Sequence, residues 1–145
     1  LAEVNRIADL AHPDLLERAD IPAERLRLYP AGCLVLDCNG VVFGYAVSHP
    51  WRAGKPPALD TLLGALPDRP AHYYVHDLAL LPAARGTGAA RAAVARLVAV
   101  AAQAGLAPIS LVAVNTSAGF WQRHGFRVVG AAPASYGADA VVMRR

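Results

Sequence analysis

One stretch restricts the possible folds more than any other: ARGTGAARAAVARLVAVAA, Ala84 to Ala102. An arginine and two glycines open a long alanine-rich run with helical spacing. Just upstream, Pro82 closes a β-rich run, His72 to Leu81. A strand, a glycine turn and a helix in that order make an anion site. The helix N-terminus presents unpaired backbone N–H groups and the positive end of its dipole. Gly86 and Gly88 lack a Cβ, so a diphosphate can approach the backbone closely. Arg85 adds a charge-assisted contact, and Ala89 and Ala90 keep the first turn small. Two familiar nucleotide loops fit poorly. G-x-G-x-x-G needs a third small residue where Arg91 stands, and no Gly-Lys-Ser/Thr triplet exists.

The remaining chain frames this unit. Ala2–Leu10 has Val4, Ile7, Ala8 and Leu10 at helical spacing, stopped by His12-Pro13. Leu15–Leu28 is a second, weaker helical stretch interrupted at Pro22. Cys33–Asp37 and Val41–Ser48 form a hairpin about Asn39-Gly40. A proline-rich connection from Pro50 to Pro70 follows, with one short helix expected at Leu59–Leu66 and a loop that walls a site. Gly88–Ala104 is the clearest helix, with a Val94, Leu97, Val98 and Ala101 stripe and Gly105 as its cap. Ile109–Val114 reads as a strand, Ser117–Arg123 as a short helix ended by Gly125, and Phe126–Val129 and Ala140–Met143 as two last strands. This order makes a mixed α/β domain around one sheet.

Composition sets the limits. The 145 residues suffice for one domain with a real core. The most apolar run, Ala92–Ala102, is broken by Arg96 and too short for a bilayer. A net charge of +3 with scattered arginines leaves a nucleic-acid surface unsupported and suits a phosphorylated small molecule. Cys33 and Cys38 have no neighbouring ligand histidines, so no metal site is expected. They read as two reduced thiols of a cytoplasmic protein, on opposite faces of one strand.

A third glycine pattern fits the opening stretch. Read as [Arg/Gln]-x-x-Gly-x-[Gly/Ala], the run Arg85-Gly86-Thr87-Gly88-Ala89-Ala90 matches every fixed position. It resembles the acyl-CoA signature of the GCN5-related N-acetyltransferases (GNAT). HDLALLP, His76–Pro82, looks like that family's fourth strand. NTSAGFWQRHGF, Asn115–Phe126, looks like its Asn-x-x-Ala…Phe-Tyr-x-Lys-x-Gly-Phe segment. The resemblance covers Val41–Val129 well and the N-terminal third poorly. It implies a single GNAT-like domain over 1–145, with a mostly antiparallel sheet flanked by helices. The sheet would splay between the strand at 72–81 and the strand at 109–114. The family also begins with a strand before its first helix. Either that strand lies outside this sequence or this member lacks it.

On the same resemblance the cofactor is acetyl-CoA. Leu78 and Leu80, with Ala79 between them, would offer main-chain groups to its pantetheine arm. Arg85, Gly86, Thr87, Gly88, Ala89 and Ala90 would wrap the pyrophosphate. Asn115 would meet the pantetheine or the adenine side, or cap the next helix, or both. Trp121 and Arg123 would lie along the far edge. The implied activity is transfer of an acetyl group to a primary amine of a small molecule or protein, by a monomer or homodimer without membrane or nucleic-acid partners.

Transfer from a thioester to an amine needs a base, oxyanion stabilisation and an acid for the thiolate. Trp121 stands where a tyrosine often serves as acid, and an indole N–H cannot give up its proton near neutrality. Replacement acids are Ser117, Tyr136 or solvent, with Tyr136 preferred. His76 and Asp77 are the base candidates; alternation along a strand puts them on opposite faces, with His72 and Tyr74 sharing the His76 face. Trp51 begins the long loop as a surface aromatic. Two other readings compete: an acyl-CoA-binding sensor of the same fold without turnover, and an unrelated α/β nucleotide-binding domain.

Overall fold

A computed structural model describes residues 1–145. Helix α1 (Ala2–Ala11) is followed by α2 (Asp20–Leu28), strand β1 (Cys33–Cys38), β2 (Val41–Trp51) and β3 (His72–Leu80). Then come α3 (Ala89–Gln103), β4 (Ile109–Ala113), α4 (Ala118–Arg123), β5 (Arg127–Ala131) and β6 (Val141–Arg144). The six strands form one sheet in the order β1-β2-β3-β4-β6-β5. All pairings are antiparallel except β3 with β4.

Local chemistry explains most of these elements. Asn39 and Gly40 take φ of 53° and 82°, the double left-handed turn that joins twisted strands. Asp37 accepts a hydrogen bond from the Gly40 N–H across that turn. Helix α2 starts at Asp20, later than the Leu15 expected, and Pro22 sits in its first turn, where its missing N–H costs nothing. α3 buries Val94, Leu97, Val100 and Ala101 and ends at Gly105, which has φ 67°. That stripe packs on Tyr73, Val75, Ile109, Leu111 and Met143 to form the main core. On the opposite face of the sheet, α1 sets Ile7 against Tyr45, Val47 and Ala79.

The helix expected at Leu59–Leu66 does not form. Its backbone amides are captured by carboxylates from the N-terminal third of the chain. Glu17 accepts from Asp60 N–H at 2.9 Å, and Glu24 from Leu63 and Gly64 N–H at 2.8 and 2.9 Å. Arg25, buried beside Glu24, donates to the Thr61 carbonyl. Side chain–backbone bonds of this kind compete with helix formation and here they win. Trp51 is also placed differently from the expected exposed loop aromatic. It ends β2, is buried, and donates its indole N–H to the Lys55 carbonyl. Cys33 and Cys38 are free thiols.

Two departures from regularity create the site. The β3–β4 ladder holds only Tyr73–Val75 against Ile109–Leu111. Beyond it the β3 edge from His76 to Leu80 has no strand partner. Opposite that gap, β2 and β3 slip register: Val47 pairs with Asp77, but Ser48 pairs with Val75, leaving His76 as the extra residue of a bulge.

Candidate active site

The β4-facing edge of β3 beyond Val75 borders a cavity of about 180 Å³ that separates it from β4 and the start of α4. Val75, Leu78, Leu111, Val112 and Trp121 supply apolar wall; Asn115 and Ser117 supply polar wall. Along the same strand a cleft of about 480 Å³ runs to the N-terminus of α3. Leu78, Leu80, Arg85, Gly86, Gly88, Ala89, Ala90 and Arg123 all line it. Eight of the cofactor residues read from the sequence are therefore brought together.

The turn has the geometry of an anion cradle. Gly86 and Gly88 have φ of 74° and 84°, and Gly88 is the N-cap of α3. A Cβ added at either glycine would meet nothing within 4 Å and would project into open space. Thr87 points away: its hydroxyl donates to the Ala84 carbonyl at 2.7 Å and accepts from the Ala89 N–H. Ala79 is buried on the other face, against Ile7 and Tyr45, so only its backbone is near the cleft. Asn115 does not cap α4. Ser117 holds that position, and Asn115, with φ 49°, lines the cavity between the strands. Trp121 is buried against Phe120 and Phe126 while its ring contributes to the cavity wall.

The bulge overturns one expectation. His76 and Asp77 are not on opposite faces; both line the same two cavities on the α1 side. The extra residue restarts the strand's alternation, so neighbouring side chains emerge together. His76 Nε2 donates to Glu17 at 2.9 Å, and its side chain is only 4% exposed. Asp77 accepts from His12 Nε2 at 3.0 Å and from the Tyr45 hydroxyl. His12, Glu17 and Tyr45 carry no local motif and were missed by sequence reasoning.

The charges follow from these pairs. Burial would raise the Glu17 carboxyl, but the His76 hydrogen bond and the Asp60 N–H outweigh it and hold it below its ordinary value. Asp77 is treated the same way: burial opposes ionisation, and His12 and Tyr45 prevail to lower it. The Asp77 bond raises His12 against the effect of burial. Nearby His49, fully buried, is pushed down to about 3 by desolvation and stays neutral. With Nε2 donating to the Glu17 carboxylate, the one-proton tautomer of the His76 ring keeps its lone pair on Nδ1. That Nδ1 has no hydrogen-bond partner.

Tyr136 is buried rather than exposed. It lines the cavity, and its hydroxyl donates to the Pro57 carbonyl at 2.9 Å. Burial pushes it up to about 12. His72 closes the far end of β3, outside the cavity lining, and Tyr74 is buried beside His76 and His49. No group of three His, Cys, Asp or Glu side chains is placed to hold a metal ion, and no helix is long and apolar enough to cross a membrane.

A family model for the acetyltransferase (GNAT) family matches residues 2–126. Among solved structures, Ard1 from Thermoplasma volcanium superposes with a TM-score of 0.78 at 16% identity, over 99% of this chain and 88% of that one. The GphF GNAT-like decarboxylase in complex with isobutyryl-CoA gives 0.76 at 16% identity, over 97% and 91%. Rv2747 from Mycobacterium tuberculosis, solved with CoA, gives 0.69 at 18% identity, over 99% and 91%. No curated protein matches the chain in sequence.

Proposed function

Because the chain belongs to the acetyltransferase (GNAT) family, we propose that it transfers the acetyl group of acetyl-CoA directly to a primary amine of a small molecule or protein. The observation that carries this is the gap beyond Val75 and Leu111, which runs into the glycine cradle at α3 and has His76 in its wall. The residues fit the cofactor. Gly86 and Gly88 leave open the space a Cβ would fill, and Arg85 and Arg123 line the same cleft with positive charge. They would hold the diphosphate with the N–H groups of the first turn. The free edge of β3 at Leu78 and Leu80 would take the pantetheine amides, with Asn115 and Trp121 opposite.

When bound, acetyl-CoA supplies a thioester carbonyl open to attack by an amine. His76 acts as the base: Glu17 fixes its tautomer, and Nδ1 accepts the proton that the amine must lose. Backbone N–H groups on the unpaired edge of β3 offer oxyanion donors. Asp77 holds His12 and Tyr45 and so keeps the wall of the site in place. Tyr136 is a poor acid here. Burial pushes its hydroxyl up to about 12, and that hydroxyl already donates to the Pro57 carbonyl, so giving its proton to a departing thiolate is uphill. Solvent is the better donor.

The test is amine-dependent release of free CoA thiol from acetyl-CoA, with acetylated amine identified by mass. Wild type should release thiol only with an amine present, and His76→Ala should lower kcat/KM by about 10²-fold or more. Equal rates in the two proteins would remove His76 from the mechanism. No transfer to any member of a broad amine panel would refute the activity.

A further inference from the structure

Behind the cofactor gap lies a second cavity of about 190 Å³, beneath α1 and over β2 and β3. It shares His12, Leu15, Glu17, His76 and Asp77 with the gap, so the two histidine–carboxylate pairs form a common wall. Asn5 and Asp9, one turn apart on α1, line its outer end, with Val4, Ala8 and Val47 between. No lysine or arginine lines it. Glu17 and Asp77 are each bonded to a histidine, whereas Asp9 has no ion-pair partner. A second observation points to a ligand. The His76 side chain is 4% exposed, and its Nδ1 is buried without a partner in this wall. Such a lone pair calls for an N–H donor that the protein does not provide.

We propose that this cavity seats the tail of the acceptor, and that the acceptor is an aliphatic diamine. One amine meets His76 as the nucleophile, and the second, as an ammonium, is held by the Asp9 carboxylate and the Asn5 amide oxygen. The inference rests on the acetyl-transfer reading above and adds the substrate class to it. An ammonium has three donors and no acceptor, which suits the Asp9 carboxylate and the Asn5 amide oxygen in a lining that holds no lysine or arginine. Asp9 and Asn5 lie about one and two turns along α1 from His12, which shares the His76 wall, so diamines of four and five carbons are the chains to try. The Val4, Ala8 and Val47 side chains cover its methylenes. In the reaction a C–N bond forms between the free amine and the acetyl carbon while the C–S bond of the thioester breaks. The amine proton passes to His76 Nδ1, and the thiolate takes a proton from solvent.

The experiment measures kcat/KM with acetyl-CoA for 1,4-diaminobutane, 1,5-diaminopentane and butylamine, in wild type and in Asp9→Asn. The diamines should exceed butylamine by about five- to tenfold in wild type. Asp9→Asn should collapse that ratio towards one through KM, Asp9→Glu should keep it, and added salt should shrink it. Asp9 is exposed and bonded to nothing, so circular dichroism should confirm that these variants fold. Equal values for diamines and butylamine in wild type, or an undiminished ratio in Asp9→Asn, overturn the inference and leave acetyl transfer standing. No transfer to any amine overturns both.

Discussion

Replacing Asp77 by Asn separates its two candidate roles, base and support. Asp77 is almost isosteric with Asn, so the change removes charge and little else. His12 and Tyr45 both bond to it, and the His12 and Asp77 side chains are 22% and 20% exposed. Bonds to a charged group carry about 1.5–3 kcal/mol each, and Asn retains one acceptor oxygen. The expected loss is therefore about 2–3 kcal/mol. For a chain of 145 residues that lowers Tm by roughly 6–12 °C. The loss also depends on pH. Asp77 is held below its ordinary 3.8, so its contribution is present above about 4 and fades as pH falls through the folded value. His12 is raised above its ordinary 6.5, so its contribution is complete below that and fades as pH climbs through the folded value. The gap between wild type and Asp77→Asn should be widest between about pH 4 and 6.5 and narrow above it. Urea denaturation across pH 4–9 measures both. A variant as stable as wild type, or a gap that widens above pH 7, would refute the assignment of Asp77 as a support.

Two further variants test neighbouring contacts. Glu17→Gln should lower kcat/KM for the amine about 10- to 100-fold, because it loosens the His76 tautomer without removing the base. Glu17 is held below its ordinary value, so the acid limb of the wild-type pH profile should flatten in that variant while acetyl-CoA affinity is unchanged; a parallel profile would refute the coupling. Arg25→Met leaves Glu24 buried without its ion-pair partner, a loss of about 3 kcal/mol or more. Faster hydrogen exchange at the Leu63 and Gly64 amides should accompany it, and protected amides would show that Glu24 holds the segment alone.

Reading the sequence succeeded where the chemistry is local. The glycine turn, the Asn39-Gly40 hairpin and the α3 stripe each depend on residues within a few positions of one another, and each is found where their spacing puts it. The family motif likewise drew eight lining residues of the cleft to one place. What was illegible depends on contacts between distant residues. His12 meets Asp77 across 65 positions and Glu17 meets His76 across 59, and no spacing rule reports such pairs. The bulge at His76 has no glycine or proline to mark it, so simple alternation separated two side chains that share a wall. The apolar spacing in LDTLLGAL favours a helix in isolation. Glu17 and Glu24 take its amides, and that competition is invisible without the fold.

The central claim is that the glycine cradle and the gap beside it bind acetyl-CoA. Calorimetric titration of acetyl-CoA into wild type, Gly88→Asn and Gly88→Asp tests it most directly. Asn and Asp have the same shape and tolerate a left-handed φ such as the 84° of Gly88 better than most residues. The difference between them therefore isolates charge beside the diphosphate. The account predicts one-to-one binding to wild type, weaker binding to Gly88→Asn, and a further loss of about tenfold or more, ~1.4 kcal/mol, in Gly88→Asp that shrinks with salt. No heat of binding with wild type, or identical affinities for the Asn and Asp variants, would contradict it.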